Sequence, residues 1–197
     1  MDIIAILARE LDVRPAQVQA AVQLIDEGNT IPFIARYRKE VTGSLNDEVL
    51  RNLYERLTYL RNLEDKKAQV LSTIEEQGKL TPELKAQIEK AQTLVAVEDL
   101  YRPYRPKRRT RATIAKEKGL EPLADLIRLQ MTQEPLEILA ADYISEEKGV
   151  ATADEALEGA GDILAERISD DAVYRTWIRK ITVAEGRLVS KAKDEKA

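Results

Sequence analysis

Apolar residues recur every three or four positions along most of this chain, the spacing of helices that bury one face. Near the N-terminus the pattern predicts three short helices, over about 2–10, 15–27 and 31–37. Phe33, Ile34 and Tyr37 of the third are expected to belong to the core. Short helices joined by tight turns predict a small bundle, compatible with a helix-turn-helix, and the pattern leaves open whether it reads DNA.

A long helix is predicted next, from the capping residues at 44–48 to about Gln77, where Gly78 ends it. Its leucines keep a regular spacing from Leu50 to Leu60, but the same seam then carries Glu64 and Lys67. A coiled coil disfavours two charges in its seam. We therefore expect a helix that packs on different neighbours at its two ends.

The rest of the chain is also predicted to be helical, over 82–91, 94–100, 111–118, 121–130, 135–147, 152–168 with bends at Gly159 and Gly161, and a last helix around Trp177. Trp177 is expected to be a packing anchor between the C-terminal helices. Residues 187–191 alternate like the start of a strand, which suggests a longer protein. The predicted fold class is all-α: an irregular array of about ten helices with a small N-terminal helical bundle (1–43), a long central helix plus short helices and a basic loop (44–130), and C-terminal helices leading into a truncated strand (131–197).

Composition narrows the classes of function. The chain has neither Cys nor His, which excludes disulfides, thiolate metal sites and histidine catalysis. Carboxylate-only metal sites and carboxylate-pair catalysis stay open in principle, but the acid pairs Asp170-Asp171 and Glu146-Glu147 are expected to lie on solvated faces. We expect a non-enzyme without cofactor or metal. With no signal segment and no apolar run of membrane length, the expected compartment is the cytoplasm.

The net charge of −4 is unevenly distributed. Residues 101–120 contain eight Lys or Arg and one acid, so the other 177 residues carry −11. Two prolines, Pro103 and Pro106, predict an extended loop here. Such a loop spreads its cations as a phosphate-binding strip for RNA or DNA, sequence-tolerant and salt-dependent. The candidate phosphate-binding residues are Arg102, Arg105, Lys107, Arg108, Arg109 and Arg111, with Tyr101 and Tyr104 as candidate base-stacking residues.

Other interpretations of these residues remain open. The basic loop could instead dock against acidic surfaces of the same protein, with both tyrosines as packing anchors. A weaker candidate cluster comprises Arg36, Arg38 and Lys39. Cations at a helix C-terminus need no ligand, because the helix dipole favours them, and Arg38 could pair with Asp47 or Glu48.

Two long strings resemble the Tex family of bacterial transcription accessory proteins. They are Ile31-Pro32-Phe33-Ile34-Ala35-Arg36-Tyr37-Arg38-Lys39-Glu40 with Val41-Thr42-Gly43, and Glu98-Asp99-Leu100-Tyr101 through Pro106-Lys107-Arg108-Arg109-Thr110-Arg111-Ala112-Thr113-Ile114-Ala115 to Glu117-Lys118-Gly119-Leu120-Glu121-Pro122-Leu123. The resemblance implies a cytoplasmic, nucleic-acid-binding factor that influences transcription. It also implies downstream nuclease-like, helix-hairpin-helix and RNA-binding domains that this sequence lacks.

Together these observations predict a non-catalytic, nucleic-acid-binding transcription accessory fragment. Its expected partners are nucleic acid, the transcription machinery and the downstream domains, with no membrane partner. The alternative is a helical scaffold for protein–protein or interdomain docking, with little nucleic-acid affinity of its own. Exposed guanidinium groups in the basic loop would favour the first interpretation, and paired ones the second.

Overall fold

The computed structural model describes residues 1–106 and 108–191, and this part of the chain confirms the all-α prediction. It contains eleven α-helices and one 3₁₀ turn (Arg102–Tyr104). The helices are α1 (Ile3–Glu10), α2 (Pro15–Asp26), α3 (Ile31–Tyr37), α4 (Asp47–Glu76), α5 (Pro82–Lys90), α6 (Leu94–Tyr101), α7 (Arg111–Glu117), α8 (Glu121–Leu129), α9 (Leu136–Ala141), α10 (Ala153–Asp170) and α11 (Ala172–Glu185).

The helices form two compact units, a first unit (Met1–Val97) and a second unit (Glu98–Ala197), and the chain crosses between them inside α6. The predicted three-part division at 43/44 and 130/131 remains a prediction about organisation. The two units divide the chain at a different point.

In the first unit, α1, α2 and α3 pack against one another and against the first half of α4. Their shared core includes the fully buried Leu7, Val18 and Ile34. The side chain of Asn46 starts α4 by accepting a hydrogen bond from the backbone N–H of Val49 at 2.8 Å. This bond satisfies one of the backbone N–H groups that have no partner within the first turn of the helix. The first three helices thus share their core with the long helix.

The second half of α4 contacts α5, so the long helix has different neighbours at its two ends, as predicted. The seam charges Glu64 and Lys67 form an ion pair at 3.0 Å. The Lys67 ammonium is buried and also donates to the backbone oxygen of Glu89 at 2.9 Å. Glu64 in addition accepts from the N-terminal amine at 3.0 Å. Both seam charges therefore have ion-pair partners within the first unit.

In the second unit, α10 is the central element and packs on α7, α8 and α9. Its side of the core includes Ala156, Ala160 and Ile163, all wholly buried. The helix runs unbroken through Gly159 and Gly161, where bends were predicted. The backbone at Gly159 lies so close to its neighbours that an added Cβ would come within 2.4 Å of the side chain of Leu120, in the short link between α7 and α8.

Three predictions about the C-terminal part are wrong. The helix predicted over 135–147 ends at Ala141, because Ser145 and the buried Val150 exchange two backbone hydrogen bonds of 2.9 Å and close a turn. Residues 187–191 form no strand, since the described part of the chain offers no strand for them to pair with. Trp177 lies on the surface with 60 % of its area exposed, because α11 buries none of its side chains.

Candidate nucleic-acid interface

The basic segment, residues 101–111, is only partly extended. Arg102 to Tyr104 form a 3₁₀ turn, in which the backbone N–H of Arg105 donates to the oxygen of Arg102 at 3.3 Å. The prediction of a continuous extended loop is therefore wrong here. Pro103 lies in the first turn of this short helix, where its missing N–H is not needed. Arg105 is extended, with φ −67° and ψ 133°, and Lys107 lies outside the described residues.

A stripe of acids on α10 faces the basic segment. Its members Asp162, Glu166 and Asp170 are four residues apart and thus share one side of the helix. The Arg102 guanidinium donates to Asp170 at 2.9 Å, and that of Arg111 lies 3.5 Å from Asp162. Asp170 is largely buried, so the prediction that it lies on a solvated face is wrong. The chain neutralises part of its own basic segment.

The middle acid of this stripe, Glu166, holds the start of α7. The hydroxyl of Thr110 donates to Glu166 at 3.0 Å, and the same hydroxyl caps α7 by accepting from the backbone N–H of Thr113 at 3.1 Å. The ammonium of Lys116 lies 3.5 Å from Glu166. The end of the basic segment is therefore fixed on the second unit by a helix cap and two polar contacts.

The remaining cations of the segment that the structure describes, Arg105, Arg108 and Arg109, are open to solvent. Arg109 pairs with Glu117 at 2.7 Å, but 68 % of its side chain and 52 % of its partner's are exposed. Arg105 and Arg108 are exposed and have no side-chain partner among the described residues. Exposed ion pairs contribute about 0–1 kcal/mol each, so an incoming anion can replace them at small cost.

The two candidate stacking residues are less accessible than a strip of stacked bases requires. Tyr101 ends α6 and Tyr104 ends the 3₁₀ turn, and both rings are half-buried. Half-burial is what a packing anchor shows, although part of each ring remains reachable. Their role in base stacking stays a prediction.

Just before the basic segment, Asp99 is clasped by two arginines of α11. Arg175 donates to one carboxylate oxygen at 2.7 Å and Arg179 to the other at 2.8 Å. Burial opposes ionisation of Asp99, but the hydrogen bonds from both guanidinium groups outweigh it and hold the pKa below its ordinary value. We call this cluster the Asp99 clamp. It ties α6, and so the start of the basic segment, to α11.

The weaker candidate cluster lies in the first unit, at the end of α3. Arg36, Arg38 and Lys39 are all exposed. The suggested pairing of Arg38 with an acid of α4 does not occur, because Asp47 pairs with Arg51 one turn further along its own helix, at 2.6 Å. The Arg38 guanidinium instead donates to the backbone oxygen of Tyr37 at 3.1 Å.

Two aromatic residues beside these cations are also on the surface. Phe33 is 36 % exposed and Tyr37 is 65 % exposed, so their assignment to the core is wrong, whereas Ile34 is fully buried as predicted. A seven-residue helix has one inward face, and Ile34 occupies it.

Sequence reasoning missed the acidic stripe and the Asp99 clamp. The four-residue spacing of the stripe was a readable signal, since it places the acids on one helix face. The clamp brings together residues 76 and 80 positions apart and left no local signal. Within the described residues, no group of three or more His, Cys, Asp or Glu could hold a metal ion, and no helix there is both long and apolar enough to span a bilayer.

The fold and this surface define a helical protein that presents an arginine-rich segment partly paired with its own acids. Two family models match the chain: the Tex-like protein N-terminal domain over residues 1–75 and the Tex central region-like model over residues 130–197. The chain belongs to the Tex family and corresponds to the N-terminal region of its members.

Named relatives agree with this assignment. The chain is 53 % identical to the transcriptional accessory protein Tex of Neisseria gonorrhoeae, over 87 % of this chain and 22 % of the relative. It is 52 % identical to the protein tex of Bordetella pertussis, over 96 % of this chain and 24 % of the relative. It is also 29 % identical to the human S1 RNA-binding domain-containing protein 1, over 91 % of this chain and 18 % of the relative. The chain spans about a quarter of the length of the bacterial relatives it matches.

Proposed function

We propose that this chain provides a sequence-tolerant nucleic-acid contact, RNA or DNA, in a cytoplasmic transcription accessory factor, and that it performs no catalysis. The observation that carries the proposal is the pair Arg105 and Arg108, exposed and without a side-chain partner among the described residues. Two of the relatives, a transcriptional accessory protein and an S1 RNA-binding domain-containing protein, support the class of function by their names.

The electrostatics support a phosphate contact more than a base contact. The two free guanidinium groups are three residues apart in a stretch that contains Pro106, which cannot extend a helical turn. Arg109 and Arg111 next to them are largely exposed although each has an acid nearby. Arginine binds phosphate oxygens through two parallel hydrogen bonds, and each phosphate it neutralises releases a counterion. Such binding weakens steeply with salt and is tolerant of sequence.

The test is a double charge reversal, Arg105→Glu with Arg108→Glu, in the whole 197-residue chain. Binding of a fluorescent oligonucleotide, single-stranded and duplex, is measured by anisotropy across a series of salt concentrations. The slope of log K against log salt is negative, and loss of two phosphate contacts reduces its magnitude by about 1.4 for a single strand and about 1.8 for a duplex.

The control must change the net charge equally at another place. Lys79→Glu with Lys85→Glu does so in the first unit, at two exposed lysines. We expect this control to retain most of the slope. Equal slopes for the wild-type chain, the arginine variant and the lysine control would refute the phosphate contact.

A second candidate function is a scaffold that docks against protein, either downstream domains or the transcription machinery. One observation favours it: α11 buries none of its side chains and exposes Val173 at 74 %, Trp177 at 60 % and Val183 at 82 %. Exposed apolar patches of this kind mark surfaces that associate with other proteins. This function predicts that the wild-type chain shows no salt-dependent binding of oligonucleotides.

A further inference from the structure

The outer side of α3 presents two aromatic rings as a pair. Phe33 and Tyr37 are four residues apart, so they lie on one side of the helix, next to the wholly buried Ile34. Their ring centroids are 5.3 Å apart with an interplanar angle of 47°. Packing does not require this exposure, because Ile34 already fills the inward position.

Cations surround this pair and are not neutralised. The Arg38 guanidinium lies over the Phe33 ring, 5.0 Å from its centroid. Arg36 and Lys39 are exposed, and no carboxylate among the described residues pairs with either of them or with Arg38. In this respect the α3 surface differs from the basic segment, where the acidic stripe of α10 already takes up part of the charge.

The chain that follows α3 holds this surface in place. The backbone N–H of Thr42 donates to the oxygen of Arg38 at 3.0 Å, and that of Ser44 to the oxygen of Lys39 at 2.7 Å. The side chain of Gln17 on α2 donates to the oxygen of Gly43 at 2.8 Å. The Thr42 side chain is fully buried. A surface fixed in this way gives up little conformational entropy when it binds.

We propose that Phe33, Tyr37, Arg36, Arg38 and Lys39 form a second binding site, the α3 platform, for single-stranded nucleic acid. An unpaired base stacks on the exposed Tyr37 ring, and the cations contact the flanking phosphates. Aromatic rings interleaved with cations bind single strands without regard to sequence, because every base has a flat face. A duplex keeps its bases stacked inside and cannot use the rings.

The helix dipole does not account for this surface by itself. It favours cations at the end of a helix, which explains why Arg36 and Arg38 are tolerated. It gives no reason for two neighbouring rings to face solvent. A protein ligand is the competing occupant. Lysine is depleted at protein interfaces, and three cations without acid partners match a polyanion better.

The experiment separates the ring from the charge. Tyr37→Ala removes the stacking surface, and Tyr37→Phe keeps it while removing the hydroxyl. Affinity for a labelled oligothymidine of about 15 nucleotides, long enough for such sites, is measured by anisotropy in the whole chain. We expect Tyr37→Ala to weaken binding about fivefold or more, the low end of base–aromatic stacking at ~1 kcal/mol. Tyr37→Phe is expected to bind like the wild type.

Two controls identify the source of an effect. Tyr174→Ala removes a tyrosine of the second unit with 49 % of its area exposed, and it should not change the affinity. A duplex of matched length should bind Tyr37→Ala and the wild type equally. Circular dichroism checks that each variant folds, and the 65 % exposure of Tyr37 makes misfolding unexpected.

The proposal rests on different residues from the phosphate contact of the basic segment, and the results distinguish the two. Equal single-strand affinity for Tyr37→Ala and the wild type overturns the α3 platform, even where the Arg105 and Arg108 variant loses affinity. An equal loss on duplex and single strand also overturns it, because stacking would not be its cause. If the wild type binds neither oligonucleotide, both proposals fail and the α3 surface is left to a protein ligand.

Discussion

Two glycines of α10 lie two residues apart in very different surroundings, and replacing each with alanine tests how closely α10 packs against Leu120. An ideal Cβ at Gly161 meets no atom within 4 Å. The same atom at Gly159 would lie 2.4 Å from Cδ1 of Leu120 and 3.3 Å from the Cβ of Ala115. Leu120 is 1 % exposed, so its side chain cannot move into solvent to make room.

The magnitudes follow from two opposing effects. Inside a helix, alanine is favoured over glycine by about 1 kcal/mol, and this gain applies to both sites. Overpacking of a filled core costs about 1–3 kcal/mol, and this cost applies at Gly159. We therefore expect Gly161→Ala to raise the free energy of unfolding. The free energy of unfolding of Gly159→Ala should be about 1–3 kcal/mol lower than that of Gly161→Ala. The helix-propensity gain cancels in this difference.

The measurement is chemical unfolding followed by circular dichroism, and amide hydrogen exchange of α10 assigns the change to the unit that contains both glycines. For a unit of this size, each kcal/mol also corresponds to roughly 4–8 °C in melting temperature. Equal stabilisation by both alanines would contradict the close approach of α10 to Leu120.

Two further substitutions test the ion pairs. Because the pKa of Asp99 is lowered in the folded chain, its carboxylate stabilises the fold above the ordinary value of 3.8, and this contribution is lost as the pH falls through the lower folded value. Asp99→Asn should therefore lower the free energy of unfolding by about 1.5–3 kcal/mol at neutral pH. In a series of unfolding curves at different pH, the difference from the wild type should shrink in acid. A difference that is independent of pH would contradict the clamp. Lys67→Met should cost about 1–3 kcal/mol, because the backbone oxygen of Glu89 loses its buried donor. The exposed control Lys85→Met should stay within about 0.5 kcal/mol in the same unfolding assay.

Helix positions were readable from the sequence wherever capping residues marked them. Thr81 and Thr152 stand directly before α5 and α10, and they accept hydrogen bonds from the backbone N–H groups of Leu84 and Glu155 at 3.2 Å each. The 135–147 helix was mispredicted because a non-local fact decides its end. Val150 enters the core, and the chain must turn back to place it there.

The candidate site was only partly predictable, for a similar reason. Residue type and spacing identified the cations of the basic segment, but the acids that pair with Arg102 and Arg111 come from α10, and the bond from Arg102 to Asp170 spans 68 residues. The exposure of Tyr37 was missed because apolar residues three or four positions apart share one side of a short helix, and the spacing does not show whether that side faces the core or the solvent. Only packing decides which side faces inward, and Ile34 takes that place.

The last helix of the described chain is attached mainly by charge. No side chain of α11 enters the core, and its described links to the rest of the second unit include the two guanidinium bonds to Asp99 and one from Arg175 to the Ser169 oxygen. Protonation of Asp99 in acid weakens such links, while it leaves the apolar interior around α10 intact. We therefore expect the backbone amides of α11 to exchange with solvent through local opening, well before the unit unfolds as a whole. The second unit would then have a rigid centre around α10 and a peripheral helix, α11, that is held by ion pairs.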